Sequence, residues 1–156
     1  MPLEIGKLIT SLAIPLSLGS ISGFITKNQI STWYTTLNQP SFNPPNYIFA
    51  PVWIILYILM GISLYMIWTL TFSESRNFIF ILFGIQLFFN IAWSFIFFYF
   101  HDIRLALVCI VCLLLSIIFM MIKMHKLKPK ASYINIPYIL WVSFATILNI
   151  GYVLLN

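Results

Sequence analysis

Five stretches of this chain, 8–26, 48–72, 78–100, 105–122 and 134–155, contain no Asp, Glu, Lys, Arg or His. A hydrocarbon layer about 30 Å thick needs about 20 apolar residues at 1.5 Å rise each, and stretches of roughly 18 to 25 residues meet that need. No water reaches the backbone there, so each stretch must satisfy its own amides as a helix or pair within a closed barrel. A barrel would need short segments of strict alternation, and runs such as FIFILFGIQLFF from Phe78 do not alternate. Composition agrees: 62% of residues are hydrophobic and only 7% charged, too few charges to solubilise a domain of this size. The expected fold is an all-α membrane protein, a five-transmembrane-helix bundle forming one domain over 1–156.

The first stretch also has the outline of a cleaved signal peptide, with Lys7 before an apolar run and small residues after it. Glu4 offsets that lysine, Pro15 and several serines interrupt the run, and Gly19 and Gly23 form a G-x-x-x-G pair that lets a neighbouring helix backbone approach. A retained helix is therefore expected. Five spans place Lys7, Arg76, Lys123, Lys126, Lys128 and Lys130 on one side and only Lys27 and Arg104 on the other. The positive-inside rule then puts the N-terminus in the cytoplasm and the C-terminus outside, for a bacterial cytoplasmic membrane. The net charge of +5 is an orientation signal beside the lipid, and nothing in it supports nucleic-acid binding.

Connections at 73–77 and 101–104 are so short that the helices they join are antiparallel neighbours in a compact bundle. The connection at 27–46 is different. It exceeds the usual length of structureless loops, Trp33, Tyr34, Leu37, Phe42 and Tyr47 give it apolar surface to bury, and Pro40, Pro44 and Pro45 stiffen it. It is expected to be an ordered lid over one end of the bundle.

Tryptophan favours membrane interfaces because its indole N–H needs a partner, and Trp68, near a span end, reads as part of such a belt. Trp93 and Trp141 lie about two turns or more inside their stretches, where a belt explains them less well, and Trp53 adjoins the lid. Indole faces lining an interhelical cavity suit a flat conjugated ligand. Asn90 and Asn149 are amides within spans, where interhelical hydrogen bonding is the simplest role. Conventional catalysis finds no constellation: three acids lie outside the spans, and His101 and His125 fall on opposite sides of the membrane. Cys109 and Cys112 read as small packing residues; no metal site and no cofactor is expected.

The chain resembles the translocator proteins, also called tryptophan-rich sensory proteins or peripheral benzodiazepine receptors, and looks like a bacterial-type member. The resemblance rests on Pro15, Gly19 and Gly23; Trp33-Tyr34, Leu37, Pro40-Ser41 and Pro44-Pro45; Pro51-Val52-Trp53, Leu56-Tyr57, Met60-Gly61, Tyr65 and Trp68. It continues through Gln86-Leu87, Asn90, Ala92-Trp93-Ser94 and Phe97-Phe98, then Ala106-Leu107, Pro137-Tyr138, Trp141, Phe144-Ala145 and Leu148-Asn149.

What the resemblance implies is an integral membrane protein, in contact with lipid, that binds porphyrins, sterols and benzodiazepine-type drugs between its helices, with a transport or sensory role. It implies a ligand site built from Gly23, Thr26, Phe49, Ala50, Trp53, Asn90, Trp93, Trp141, Ala145 and Leu148, with Asn90 orienting the ligand. A porphyrin carries two propionates, for which Lys27 and Arg104 are the candidate contacts at the rim. The alternative is enzymatic: some bacterial relatives degrade protoporphyrin with light and oxygen, using tryptophans that match Trp53 and Trp141. A homodimer is also implied, although the small-residue spacing that some relatives use for it is missing around Ile81 and Ile85. Tyr152 is not followed by the basic residue of the family's sterol-contact pattern, and Cys109, Leu105 and Gln39 replace an acid, a tryptophan and a lysine common among relatives.

Overall fold

The computed structural model describes residues 4–156; the first three residues of the 1–156 domain lie outside it. Five helical spans are present: α1 (Ile5–Ile30), α2 (Phe49–Trp68), α3 (Glu74–Ser94) extended by a π-helical turn (Phe95–Tyr99), α4 (Ile103–Leu127), and a fifth made of α5 (Pro129–Tyr133) and α6 (Ile136–Leu155). All are long and apolar enough to cross a membrane.

Helix ends follow local chemistry. The Ser73 side chain accepts from the Arg76 amide at 3.2 Å, with Glu74 favourably placed at the positive end of α3. Asp102 caps α4 by accepting from the Arg104 and Leu105 amides at 3.2 and 2.9 Å, and His125 and Lys126 sit in its last turn. His101 adopts φ 57°, the left-handed turn that allows so tight a passage from the π turn into α4. Pro129 and Pro137 occupy first turns, where a missing N–H costs nothing.

The structure moves several expected boundaries. α1 continues to Ile30, so Lys27 lies in its last turn and the first loop spans 31–45 rather than 27–46. α4 likewise runs past residue 122 into Lys123 and Lys126, whereas α2 stops at Trp68. Charge marks where hydrocarbon ends, and a helix need not stop there. The fifth span is not one helix over 134–155: it breaks at Asn135, whose Nδ2 donates to Ser63 Oγ at 2.7 Å and to Ala131 O at 2.9 Å. Ser63 Oγ in turn donates to Ala131 O at 2.8 Å, tying the break to α2.

α1 packs on α2, α3 on α4, and α4 on α6. The main core contains Met60, Ile67, Ile79, Ile110, Leu113, Ile117, Met120, Tyr138 and Val142, all fully buried or nearly so. A second cluster, Tyr34, Phe97, Phe98, Ala106, Leu148 and Tyr152, lies at the loop end. Large apolar side chains such as Ile55, Phe88, Val108, Leu115 and Leu140 face outward, where lipid meets the bundle.

The expected backbone approach at the G-x-x-x-G pair occurs elsewhere. At Gly61 an added Cβ would sit 2.8 Å from Leu12 Cα and 2.8 Å from Ser11 O, so α1 and α2 cross here nearly backbone to backbone. Gly19 faces the ring of Tyr57, and Gly23 faces open space. Gly61→Val is expected to lower stability by about 1 to 3 kcal/mol, because backbone cannot yield as a side chain can. Gly23→Ala should leave stability near that of the parent protein. Thermal unfolding in detergent checks both, and equal behaviour of the two variants would contradict the crossing geometry.

Candidate functional site

At the seam of the two core clusters lies a cavity of about 440 Å³, within the range of small-molecule sites. α1 supplies Leu16, Gly19, Gly23, Thr26 and Lys27; α2 supplies Phe49, Ala50, Trp53 and Tyr57; α3 and its π turn supply Trp93, Ser94, Phe97 and Phe98. α6 closes the far side with Trp141, Ala145, Leu148, Asn149 and Tyr152, and Tyr34 and Asn46 reach in from the first loop and the turn that ends it.

Its aromatic walls are held by one another. The Trp53 and Tyr57 rings stack at 5.6 Å and 27°, Phe49 meets Trp141 edge-on at 6.0 Å, and Trp93 leans on Phe97 at 5.4 Å. Trp93 has its polar atom satisfied: Nε1–H donates to Asn149 Oδ1 at 3.0 Å, while Asn149 Nδ2 donates to the Ile103 carbonyl at 2.9 Å. That leaves the indole an apolar plate of fixed orientation. The π turn advances the helix by a wider step, and it buries Phe97 and Phe98 together against Tyr34.

Beneath the cavity runs a directed hydrogen-bond chain. Tyr57 Oη donates to Asn90 Oδ1 at 2.8 Å, Asn90 Nδ2 donates to Tyr138 Oη at 3.0 Å, and Tyr138 Oη donates to Gln86 Oε1 at 2.7 Å. Gln86 Nε2 ends it on the Met60 sulfur at 3.8 Å. Gly19 permits the arrangement, since a side chain there would enter the Tyr57 ring.

The first loop is fastened to the C-terminal end of α6 and to the turn before α4. Asn38 donates from its amide to Asn156 Oδ1 at 2.9 Å, Asn156 Nδ2 donates back to Asn38 O at 3.1 Å, and Pro40 fills the space above Gly151, only 2.6 Å from where a Cβ would be. Trp33 stacks on His101 at 4.3 Å, and Tyr34 donates to Asn43 Oδ1 at 2.9 Å. Burial raises the Tyr34 phenol above its ordinary pKa, so it stays a neutral donor.

The cavity brings together Gly23, Thr26, Lys27, Phe49, Ala50, Trp53, Trp93, Trp141, Ala145 and Leu148 from the sequence-derived set. Two residues stand elsewhere. Asn90 is 2% exposed and spent on two tyrosines below the floor, and exposed Arg104 is not in the wall, being in the first turn of α4. Tyr34, Tyr57, Phe97, Phe98, Asn149 and Tyr152 line the wall without having been expected there. The loop aromatics were a signal for Tyr34; the π turn that aims Phe97 and Phe98 inward has none. Of the other candidates, His101 is occupied by Trp33 and Gln29, and Cys109 Sγ donates to Phe89 O at 3.5 Å as a packing residue.

Residues 11–155 match the model of the TspO/MBR family. The chain is 36% identical over 155 residues to the tryptophan-rich protein TspO of Archaeoglobus fulgidus, covering 99% of each. It is 36% identical over 154 residues to the protein of the same name from Chlorobaculum tepidum, covering 98% of each. Against the translocator protein of Bos taurus it is 33% identical over 138 residues, 85% of this chain and 82% of the other.

Asn90→Leu would strand the buried Tyr57 hydroxyl and take from Tyr138 one of its two hydrogen bonds, leaving the one to Gln86. An average interhelical bond in a membrane is worth roughly 0.6 kcal/mol, but a buried hydroxyl left with no partner and no water to replace it, together with the second lost bond, should cost about 2 kcal/mol. That corresponds to a fall in unfolding temperature of about 4 to 8 °C. Thermal unfolding in detergent checks this, and an unfolding temperature equal to that of the parent protein would contradict the hydrogen-bond chain.

Proposed function

The chain belongs to the TspO/MBR family, and on that footing we propose that it binds a porphyrin, or a comparably flat hydrophobic molecule, within the cavity between its helices. The observation that carries this reading is one apolar cavity walled by Trp53, Trp93 and Trp141, with the cation of Lys27 at its rim. Flat indole faces offer a conjugated ring large contact area at little cost in side-chain entropy, because they are already packed. Gly23, Thr26, Ala50 and Ala145 leave volume by being small, and Phe49 and Leu148 complete the wall. Buried Ser22 also lines the cavity, with an Oγ that has no hydrogen-bond partner among the described residues, and it supplies a polar contact to a ligand carbonyl or hydroxyl. Neutral ligands of the sterol or benzodiazepine type would use the same apolar wall without Lys27.

In this reading the first loop is the lid, and exchange of ligand requires the Trp33–His101 stack and the Asn38–Asn156 bonds to open. Relatives named translocator proteins support a transport role in this reading, with a sensory role as the alternative that the family resemblance implies. Trp53 and Trp141 act as contact surfaces rather than as reagents of a light-driven reaction. The lysine-rich ends are cytoplasmic, by the positive-inside rule.

Titrating the purified protein with protoporphyrin in the dark should quench tryptophan fluorescence saturably. Trp53→Ala and Trp141→Ala should each weaken binding about tenfold. Lys27→Ala should weaken protoporphyrin about threefold while sparing a neutral ligand, and Arg104→Ala should spare both. Equal losses for charged and neutral ligands would remove the propionate role from Lys27, and unsaturable quenching would sink the binding reading.

A further inference from the structure

A second concave site lies at the opposite end of the molecule, between the start of α3 and the end of α4. It encloses about 610 Å³ and is lined by Glu74, Ser75, Asn77, Phe78, Ile81, Lys123, Lys126 and Leu127. The spacing explains why these residues converge. On α3, residues 74, 78 and 81 fall on one helical face, and on antiparallel α4, residues 123, 126 and 127 fall on the face opposite.

The groove is amphipathic along its length. Phe78 and Ile81 are 41% and 58% exposed and continue into the lipid-facing surface of α3, whereas Lys123, Lys126, Ser75 and Asn77 gather at the end where α3 begins. Lys123 is held in place: its Nζ lies 5.1 Å from the centre of the Phe119 ring and 5.7 Å from that of Phe78, and those rings meet edge-on at 6.2 Å. Neither lysine is spent on a carboxylate, because among the described residues the one ion pair is Lys7–Glu4. Glu74 shares the groove but stays beyond ion-pair distance of both lysines. Two cations with no ion-pair partner, hydroxyl and amide groups beside them, and an apolar wall running toward mid-membrane together match one kind of molecule.

We propose that this groove is a binding site for an anionic phospholipid, with the phosphate between Lys123 and Lys126 and an acyl chain along Phe78 and Ile81. Ser75 and Asn77 donate to the phosphate or glycerol oxygens. Glu74 disfavours a second negative charge and accepts from a head-group hydroxyl, which favours a singly charged, hydroxylated head group over a bare phosphate monoester. The site is independent of the aromatic cavity and stands on different residues.

The test is native mass spectrometry of the full-length protein in neutral detergent, titrated with phosphatidylglycerol or phosphatidylcholine. Phosphatidylglycerol should add one tightly held copy that phosphatidylcholine does not match and that inorganic phosphate does not displace. Lys123→Gln with Lys126→Gln should weaken that copy by on the order of twentyfold, about fivefold per lysine. Lys128→Gln with Lys130→Gln, which removes the same charge outside the groove, should weaken it little. Ile81→Asp should also release it, by placing a charge against the acyl chain while both lysines remain. All variants should keep the parent helical content by circular dichroism, since the substituted side chains are exposed or half-buried. Equal losses in the two lysine pairs, or equal retention of both lipids, would overturn the proposal in favour of diffuse attraction to a basic face.

Discussion

A hydrocarbon solvent offers no hydrogen bonds, so a polar group the bundle places at mid-membrane is costly unless it finds a partner inside the protein. The chain Tyr57–Asn90–Tyr138–Gln86–Met60 answers that demand across α2, α3 and α6, with each donor passed to the next acceptor. It fixes the rotation of three helices about their axes, since turning any one would strand a phenol or an amide. The walls above it depend on that rotation: Trp53 stacks on the Tyr57 ring whose hydroxyl begins the chain, and Trp53 also meets Tyr138 edge-on at 6.4 Å.

The cavity then exists because packing fails locally in a controlled way. Gly19 makes room for the Tyr57 ring, and Gly23, one turn on, has nothing within 4 Å of where a Cβ would stand. The π turn after Ser94 directs Phe97 and Phe98 inward, and Trp93 is clamped by Asn149 so that it cannot fall into the space. The loop end is tied by side-chain amides, a stacked ring pair and the buried cluster around Tyr34, while the opposite end is tied by Ser63, Asn135 and Ala131.

Much of this was legible in the residues. The five spans were, because charge cannot be left in hydrocarbon, and so were Trp93 and Trp141 as wall residues, because an indole deep in a span needs a reason to be there. Asn149 was legible as an interhelical donor and acceptor, and it proved to be part of the wall as well. Asn90 was expected to orient a ligand from its place near Trp93; it lies outside the cavity lining with its amide spent on Tyr57 and Tyr138, and which way a buried amide points depends on partners more than thirty residues away in sequence. Arg104, expected at the rim, is not in the lining for a related reason, since a shared membrane face does not specify which side of a helix a residue occupies.

What the sequence determined by itself is the solvent and the number of spans, because hydropathy is summed along the chain and needs no knowledge of neighbours, and the family, through the resemblance of its spaced motifs. Only the tertiary structure decided that Gly61 rather than the Gly19–Gly23 pair carries the backbone crossing and that Tyr34, Phe97 and Phe98 join the wall. It alone showed that Phe78, Ile81, Lys123 and Lys126 share a groove. Those outcomes depend on helix rotation and on a single π turn, and rotation is set by contacts between residues far apart in the chain, which no local pattern encodes.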